Sequence, residues 1–153
     1  EFCLSHRDIR IPETGSYYSV NQGYYLKFDL EMRRYIDFCS DSNMRLRYIG
    51  TMVSDIHRIM IQGGIFLYPN TRKHPKGKLR LLYEANPVAF IAEQAGGVAI
   101  DGRQRVLEVE PTGIHQRTPL IVGGRSELEE FQRFVAPVET ESRMEETLLD
   151  VSA

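Results

Sequence analysis

The stretch Met52-Val53-Ser54-Asp55-Ile56-His57-Arg58-Ile59-Met60-Ile61-Gln62-Gly63-Gly64-Ile65-Phe66-Leu67-Tyr68-Pro69 changes its hydrophobic period halfway along. In its first part Met52, Val53, Ile56, Ile59 and Met60 recur at the three- and four-residue spacing of one helix face. Gly63-Gly64 supplies a helix stop, since glycine enters the left-handed conformation of a C-terminal cap without steric penalty. Ile65-Phe66-Leu67-Tyr68 follows, a short β-branched and aromatic run closed by Pro69, which suits a buried strand. A helix feeding directly into a buried strand is a building unit of an α/β fold.

Working toward the C-terminus, a basic loop covers Asn70 to Lys78 and a second apolar run covers Leu79 to Tyr83. Asn86-Pro87 reads as an N-cap followed by proline at the first helical position, opening a helix through Val88, Phe90, Ile91 and Ala95 that ends at Gly96-Gly97. Val98-Ala99-Ile100, the Asp101-Gly102 turn and Val106-Leu107-Glu108-Val109 predict a bulged hairpin. Pro119-Leu120-Ile121-Val122 predicts another strand, and Ser126-Glu127-Leu128-Glu129 a capping box opening a last helix through Leu128, Phe131 and Val135. Toward the N-terminus, Ser19-Val20-Asn21-Gln22 reads as a capping box before Tyr25, Phe28, Met32, Tyr35, Ile36 and Cys39. That spacing predicts an amphipathic helix over 23–39, closed by Asp41-Ser42-Asn43. The predicted fold is α/β, a layered sandwich with a mixed β-sheet flanked by helices.

The chain has 153 residues, 42% of them hydrophobic, enough for a real core and too many for disorder throughout. No apolar run approaches the roughly 18 to 20 residues of a membrane-spanning helix, so no membrane partner is expected. The opening residues show no basic-then-apolar signal peptide, and Cys3 and Cys39 form no C-x-x-C pair. A reducing, cytoplasmic compartment is therefore expected, with a plastid left open. A net charge of -2 gives no global basic field, and no nucleic-acid partner is expected. Glu1-Phe2-Cys3-Leu4 reads like the middle of a strand. At the other end, residues 135–153 carry Glu139, Glu141, Glu145, Glu146 and Asp150 against Arg143. This composition predicts a mobile acidic tail behind a domain of residues 1–134.

Arg72-Lys73-His74-Pro75-Lys76-Gly77-Lys78-Leu79-Arg80 holds five bases and a histidine with no acid. Arg72, Lys73 and Lys76 read as a solvated loop, since exposed bases need no partner. Lys78 and Arg80 differ: period two places both on one strand face, opposite Leu79, and two projecting cations suit a phosphate. Glu84 lies just beyond that run, where ligand-binding groups of α/β sheets collect. It is either an ordinary partner of Lys78 or Arg80 or a hard oxygen ligand for Mg²⁺. Tyr17, Tyr18, Tyr24, Tyr25, Tyr48 and Tyr68 sit near predicted element boundaries. Any one of them suits core or rim packing, while several hydroxyls converging with Asn21 and Arg47 would bind phosphate oxygens. Asp55 and His57 lie roughly 200° apart around a helix and cannot chelate one ion, so both read as structural. His115 reads as a loop residue bonded to backbone. No G-x-x-x-x-G-K-[ST], G-x-G-x-x-G or G-x-S-x-G occurs, which removes support for nucleotide-binding and serine-hydrolase readings.

Tyr18-Ser19-Val20-Asn21-Gln22-Gly23-Tyr24, Arg47-Tyr48-Ile49-Gly50-Thr51-Met52-Val53-Ser54-Asp55-Ile56-His57-Arg58, Gly63 to Pro69, Gly77 to Pro87, Ala95-Gly96-Gly97 and Ile114-His115-Gln116-Arg117 together resemble, in order and spacing, the C-terminal half of a class I fructose-1,6-bisphosphatase. The resemblance covers about residues 1–134 and implies the C-terminal domain of the sugar-phosphatase fold. It implies that Asn21, Tyr24, Tyr48 and Tyr68 hold the 6-phosphate and that Arg47 reaches the same phosphate of a neighbouring subunit, hence a homo-oligomer. Met52 and Leu79 would flank the sugar and Lys78 would contact the sugar and phosphate. Arg80 would lie by the 1-phosphate and Glu84 would ligate Mg²⁺, these two being the chain's catalytic contribution.

The implied chemistry is hydrolysis of fructose-1,6-bisphosphate to fructose-6-phosphate and phosphate, assisted by two or more Mg²⁺ ions, with Mn²⁺ as a substitute, in gluconeogenesis or Calvin-type metabolism. The family's Asp-Pro-x-Asp-Gly-Ser-Ser motif and its other metal-binding acids lie in the N-terminal half, and nothing here resembles them. The implied partner is therefore that N-terminal half, the chain alone is expected to be inactive, and its strand-like start is expected to mark where the other half was removed. Two other readings are a non-catalytic phosphosugar-binding or regulatory module and a sedoheptulose-1,7-bisphosphatase.

Overall fold

The computed structural model describes residues 3–135. In chain order the elements are β1 (Tyr17–Ser19), α1 (Leu30–Asp41), β2 (Arg45–Leu46), α2 (Met52–Gln62), β3 (Ile65–Tyr68), β4 (Leu79–Arg80), α3 (Asn86–Gln94), β5 (Val98–Ile100), β6 (Arg117–Thr118), β7 (Leu120–Gly123) and α4 (Arg125–Val135). Five strands form one mixed sheet in the order β2-β1-β3-β7-β5. β1 runs parallel to β2 and β3, whereas β7 runs antiparallel to β3 and β5. β4 and β6 make a separate antiparallel ribbon.

Strand period two sorts the side chains into two cores. Tyr18, Ile65, Leu67, Ile100 and Ile121 pack with Met32, Tyr35, Ile36 and Cys39 of α1 and with Leu128 and Phe131 of α4. Phe66, Ala99, Leu120 and Val122 face the other way, toward Ile56 and Ile59 of α2 and Ala89 and Ala92 of α3. The mixed sheet flanked by helices on both faces is the expected sandwich. The α2–β3 junction also forms where the change of period puts it. Gly64 has φ +101°, and a Cβ there would stand 2.0 Å from the Tyr17 carbonyl oxygen, so only glycine lets β3 enter beside β1.

Several local expectations are corrected. The helix predicted over 23–39 is two elements: a 3₁₀ stretch over Gln22–Lys27, then α1. Asp29 is extended and its carboxylate accepts from Met32 N at 3.0 Å, a charged cap that starts α1 at Leu30 rather than at residue 23. Ser19 does not cap; it is buried in β1, and Asn21 instead accepts from Gly23 N. Of the Leu79–Tyr83 run only Leu79–Arg80 is strand, and Leu81–Ala85 winds into a π-helical turn. Asn86 is already helical, at φ -60° and ψ -46°, so it does not cap α3.

The predicted hairpin is absent: β5 pairs with β7, Val106–Glu108 forms a 3₁₀ turn, and only the Ile100–Arg105 bridge links the two segments. The Asp101 carboxylate accepts from Arg103 N and Gln104 N at 2.8 and 2.9 Å, closing an Asx turn in place of a two-residue hairpin loop. α4 begins at Arg125, one residue ahead of the predicted cap Ser126. Cys3 and Leu4 belong to no strand. The acidic tail beyond Val135, like Glu1 and Phe2, lies outside the described residues.

Candidate phosphosugar site

β1, β2 and β3 are mutually parallel, so all three deliver their carboxyl ends to one edge of the sheet. Asn21 follows β1, Arg47 and Tyr48 follow β2, and Tyr68 closes β3. Such an edge is the usual ligand-binding position of an α/β sheet, because the chain leaves the strands there as loops. The loop carrying Tyr48 is tied down from below. Asp55, 0% exposed, accepts from Ile49 N at 3.1 Å and Gly50 N at 3.2 Å and pairs with the Arg58 guanidinium at 3.0 Å. The structural reading of Asp55 holds, and His57 is exposed on the outer side of α2.

Asn21, Tyr24, Tyr68 and Lys78 line one recess of about 30 Å³, backed by Phe28, Leu67, Pro69 and Thr71. The Lys78 ammonium lies 4.7 Å from the centre of the Tyr24 ring. Its backbone is fixed by Arg117, which donates to the Lys78 carbonyl. The preceding Gly77 has φ +78°, and a Cβ there would lie 2.3 Å from the Thr118 carbonyl carbon. Tyr48 stands beside this group. Burial pushes its phenol pKa up, the Tyr68 and Asp55 charges add to that, and Asn21 opposes it. The phenol stays protonated through neutral pH and can donate to an anionic oxygen.

Arg47, Met52, Leu79, Arg80 and Glu84 do not line this recess. Arg47 is exposed, donates to the Leu46 carbonyl at 2.9 Å and lies 6.0 Å from the Tyr17 ring, outside the recess. Leu79 is buried in the core beneath α2 and α3, and Met52 packs against that same core. Arg80 and Glu84 pair with each other at 3.4 Å, while Glu84 Oε2 also accepts from Arg80 N at 2.7 Å. The ordinary pairing considered for Glu84 is therefore present.

A divalent cation of the Mg²⁺ type takes about six oxygen ligands. Among the described residues no three His, Cys, Asp or Glu side chains group to hold a metal ion. Glu84 Oε1 is the one carboxylate oxygen here that the Arg80 pairing does not use. These residues by themselves do not fit a Mg²⁺ centre.

His115 bonds the Tyr83 hydroxyl at 2.9 Å rather than backbone. Two residues escaped the sequence reading. Thr71 is buried behind the recess, and Lys27 lies 4.1 Å from the centre of the Tyr24 ring. Lys27 falls in the segment read as a regular helix, which hid its position. Among the described residues no helix is long and apolar enough to cross a membrane.

Residues 11–136 match the family model of the fructose-1,6-bisphosphatase C-terminal domain. The chain is 53% identical over 141 residues, 88% of its length, to a class 1 fructose-1,6-bisphosphatase of Cytophaga hutchinsonii, of which it covers 41%. It superposes on the crystal structure of Leishmania major fructose-1,6-bisphosphatase in the T-state with a TM-score of 0.85 at 46% identity, covering 87% of this chain and 43% of that one. The chain thus spans about two fifths of the length of these relatives. With the family model matched over most of the chain and the fold shared, the chain belongs to the fructose-1,6-bisphosphatase family, to its C-terminal domain.

Proposed function

We propose that this chain supplies the sugar and distal-phosphate pocket of a fructose-1,6-bisphosphatase, which hydrolyses the 1-phosphate of fructose-1,6-bisphosphate to give fructose-6-phosphate and phosphate. The observation that carries the reading is the convergence of Asn21, Tyr48, Tyr68 and Lys78 at the carboxyl ends of three parallel strands. Neutral phenol hydroxyls and a carboxamide donate to phosphate oxygens, and the Lys78 ammonium balances the charge. Tyr24 serves as a wall that steers Lys78. Met52, half-buried, and Leu79, buried, would act from the core beside the pocket.

Arg80 and Glu84 would face the reacting 1-phosphate. Glu84 offers one oxygen, so the remaining ligands of a Mg²⁺ or Mn²⁺ set would come from the polypeptide that completes the enzyme. The exposed guanidinium of Arg47, outside its own recess, supports a role toward a neighbouring copy in a homo-oligomer. The absence of a three-acid cluster among the described residues favours a second reading for the chain alone, a phosphosugar-binding module without turnover.

Calorimetric titration with fructose-6-phosphate tests the pocket. Tyr68→Phe combined with Lys78→Ala is expected to weaken binding at least about 100-fold, since hydrogen bonds to charged groups contribute roughly 1.5–3 kcal/mol each. Equal affinities for parent and variant would refute it. Phosphate release is expected only after addition of the N-terminal half and Mg²⁺, and is expected to be lost with Glu84→Gln. Turnover by the chain alone would overturn the division of labour.

A further inference from the structure

Beside the recess lies a larger cleft of about 440 Å³, which shares Tyr24, Thr71 and Lys78 with it. Four bases and a histidine face this cleft: Lys27, Arg72, Lys73, His74 and Lys78. Among the described residues none of them makes an ion pair. Arg58, Arg80, Arg105 and Arg133, by contrast, each hold a carboxylate. Converging like charges repel, and solvent relieves that only where the side chains are free to diverge. Lys27, Arg72 and Lys73 are exposed, while the backbone fixes where their side chains start. Thr71 and His74 form a bridge, with His74 N donating to the Thr71 carbonyl at 2.9 Å and to its hydroxyl at 3.2 Å. Arg72 N donates to the Lys27 carbonyl at 3.2 Å, which ties the basic loop to the 3₁₀ stretch. Lys27 and Lys78 approach the same Tyr24 ring, at 4.1 and 4.7 Å from its centre.

We infer that Lys27, Arg72, Lys73, His74 and Lys78 form a second anion site, for a phosphate-class dianion, alongside the recess at the sheet edge. Ammonium groups act as point charges and the Arg72 fork supplies planar donors, a set matched to tetrahedral oxyanions. The His74 imidazole reports the same uncompensated field: desolvation, then Lys78, Lys73 and Arg117, hold its pKa below the ordinary histidine value. Lys78 belongs to both cavities, so an anion in the cleft draws on the cation that the sugar phosphate uses. The two ligands therefore oppose each other, and each weakens the other by the same factor. This antagonism, unlike the cleft itself, rests on the proposed sugar-phosphate reading.

The test is an NMR titration of the ¹⁵N-labelled full chain with inorganic phosphate, at fixed ionic strength and with chloride as the comparison anion. Saturating amide shifts are expected at Arg72, Lys73 and His74, with the His74 imidazole pKa rising as phosphate binds. Arg72→Glu with Lys73→Glu is expected to weaken that response about tenfold or more by reversing two nearby charges, while the amides of Asn21 and Tyr68 keep theirs; a melting curve checks that the variant is folded. No saturating response at residues 72–74, an equal response to chloride, or one that survives the double charge reversal would overturn the site. A response at residues 72–74 without any at Asn21 and Tyr68 would support the second site and count against the sugar-phosphate pocket alone.

Discussion

Replacing Asp55 with asparagine separates the scaffold of the site from its contacts. The carboxylate is fully buried and has three donors around it, Ile49 N, Gly50 N and the Arg58 guanidinium, at 3.0–3.2 Å. Asparagine has almost the same shape but presents one oxygen and one NH₂. With the oxygen toward the backbone amides, the NH₂ confronts Arg58; turned the other way, it confronts Gly50 N. Either orientation leaves a buried donor unsatisfied and removes the charge paired with Arg58, a cost of about 2–4 kcal/mol. For a domain of this size, roughly 4 °C per kcal/mol makes this a fall in melting temperature of about 10 °C.

The same substitution frees the Arg47–Gly50 loop, so Tyr48 loses its fixed direction and fructose-6-phosphate affinity should fall about tenfold, near the low end of one charged hydrogen bond. Differential scanning calorimetry and ligand titration on the same preparation read both quantities. A melting temperature within about 2 °C of the parent would refute the buried-network argument. A lowered melting temperature with unchanged affinity would refute the claim that Asp55 positions Tyr48.

Gly77→Ala should lower both stability and sugar-phosphate affinity, because its φ of +78° and the 2.3 Å approach to Thr118 force β6 or Lys78 to shift; chemical denaturation with calorimetry checks this, and a parent-like affinity contradicts it. Glu127 accepts from Gly15 N at 2.5 Å while its Oε2 is buried without a partner, and burial pushes its pKa above 4.5. A raised folded-state pKa means that folding favours the protonated form, so its stabilising contribution is complete below 4.5 and is lost as pH rises through the folded value. Denaturation midpoints of Glu127→Gln should therefore gain on the parent as pH rises through that window and then level off; a parent that gains on the variant there contradicts the sign. Tyr48 should ionise above pH 10.0 in an absorbance titration read as the difference from Tyr48→Phe, and higher still with fructose-6-phosphate bound. A step at or below the ordinary tyrosine value would contradict its burial.

The α2–β3 junction was legible because both of its signals are local: the period changes within one segment, and glycine occupies the turn. Ser19 and Asp29 both carry cap chemistry, and nothing nearby in sequence decides between them. The parallel pairing of β1 with β3 decides it, since it sets Ser19 opposite Phe66 and requires it to be extended. The Asp101-Gly102 turn misled for the same reason: β5 finds its partner in β7, some twenty residues on, while Asp101 spends its carboxylate on its own turn. Lys78, Arg80 and Glu84 stood out as candidates by charge and period. The meeting of Asn21, Tyr48 and Tyr68 did not, since it arises from the register of three parallel strands and was reached only through resemblance. Thr71 and Lys27 carried no signal of their own.

The π-helical turn at Leu81–Ala85 leaves no loop between the β4–β6 ribbon and α3. Glu84 Oε2 accepts the backbone N–H of Arg80 across that turn, so strand end and carboxylate are clamped to each other by a bond that does not depend on the Arg80 side chain. A pull on Lys78 or Arg80 then works as on one end of a short stiff lever. Glu84 and the first turn of α3 would move with it, so that under the proposed function the far and near phosphates of the substrate would be felt by a single mechanical part.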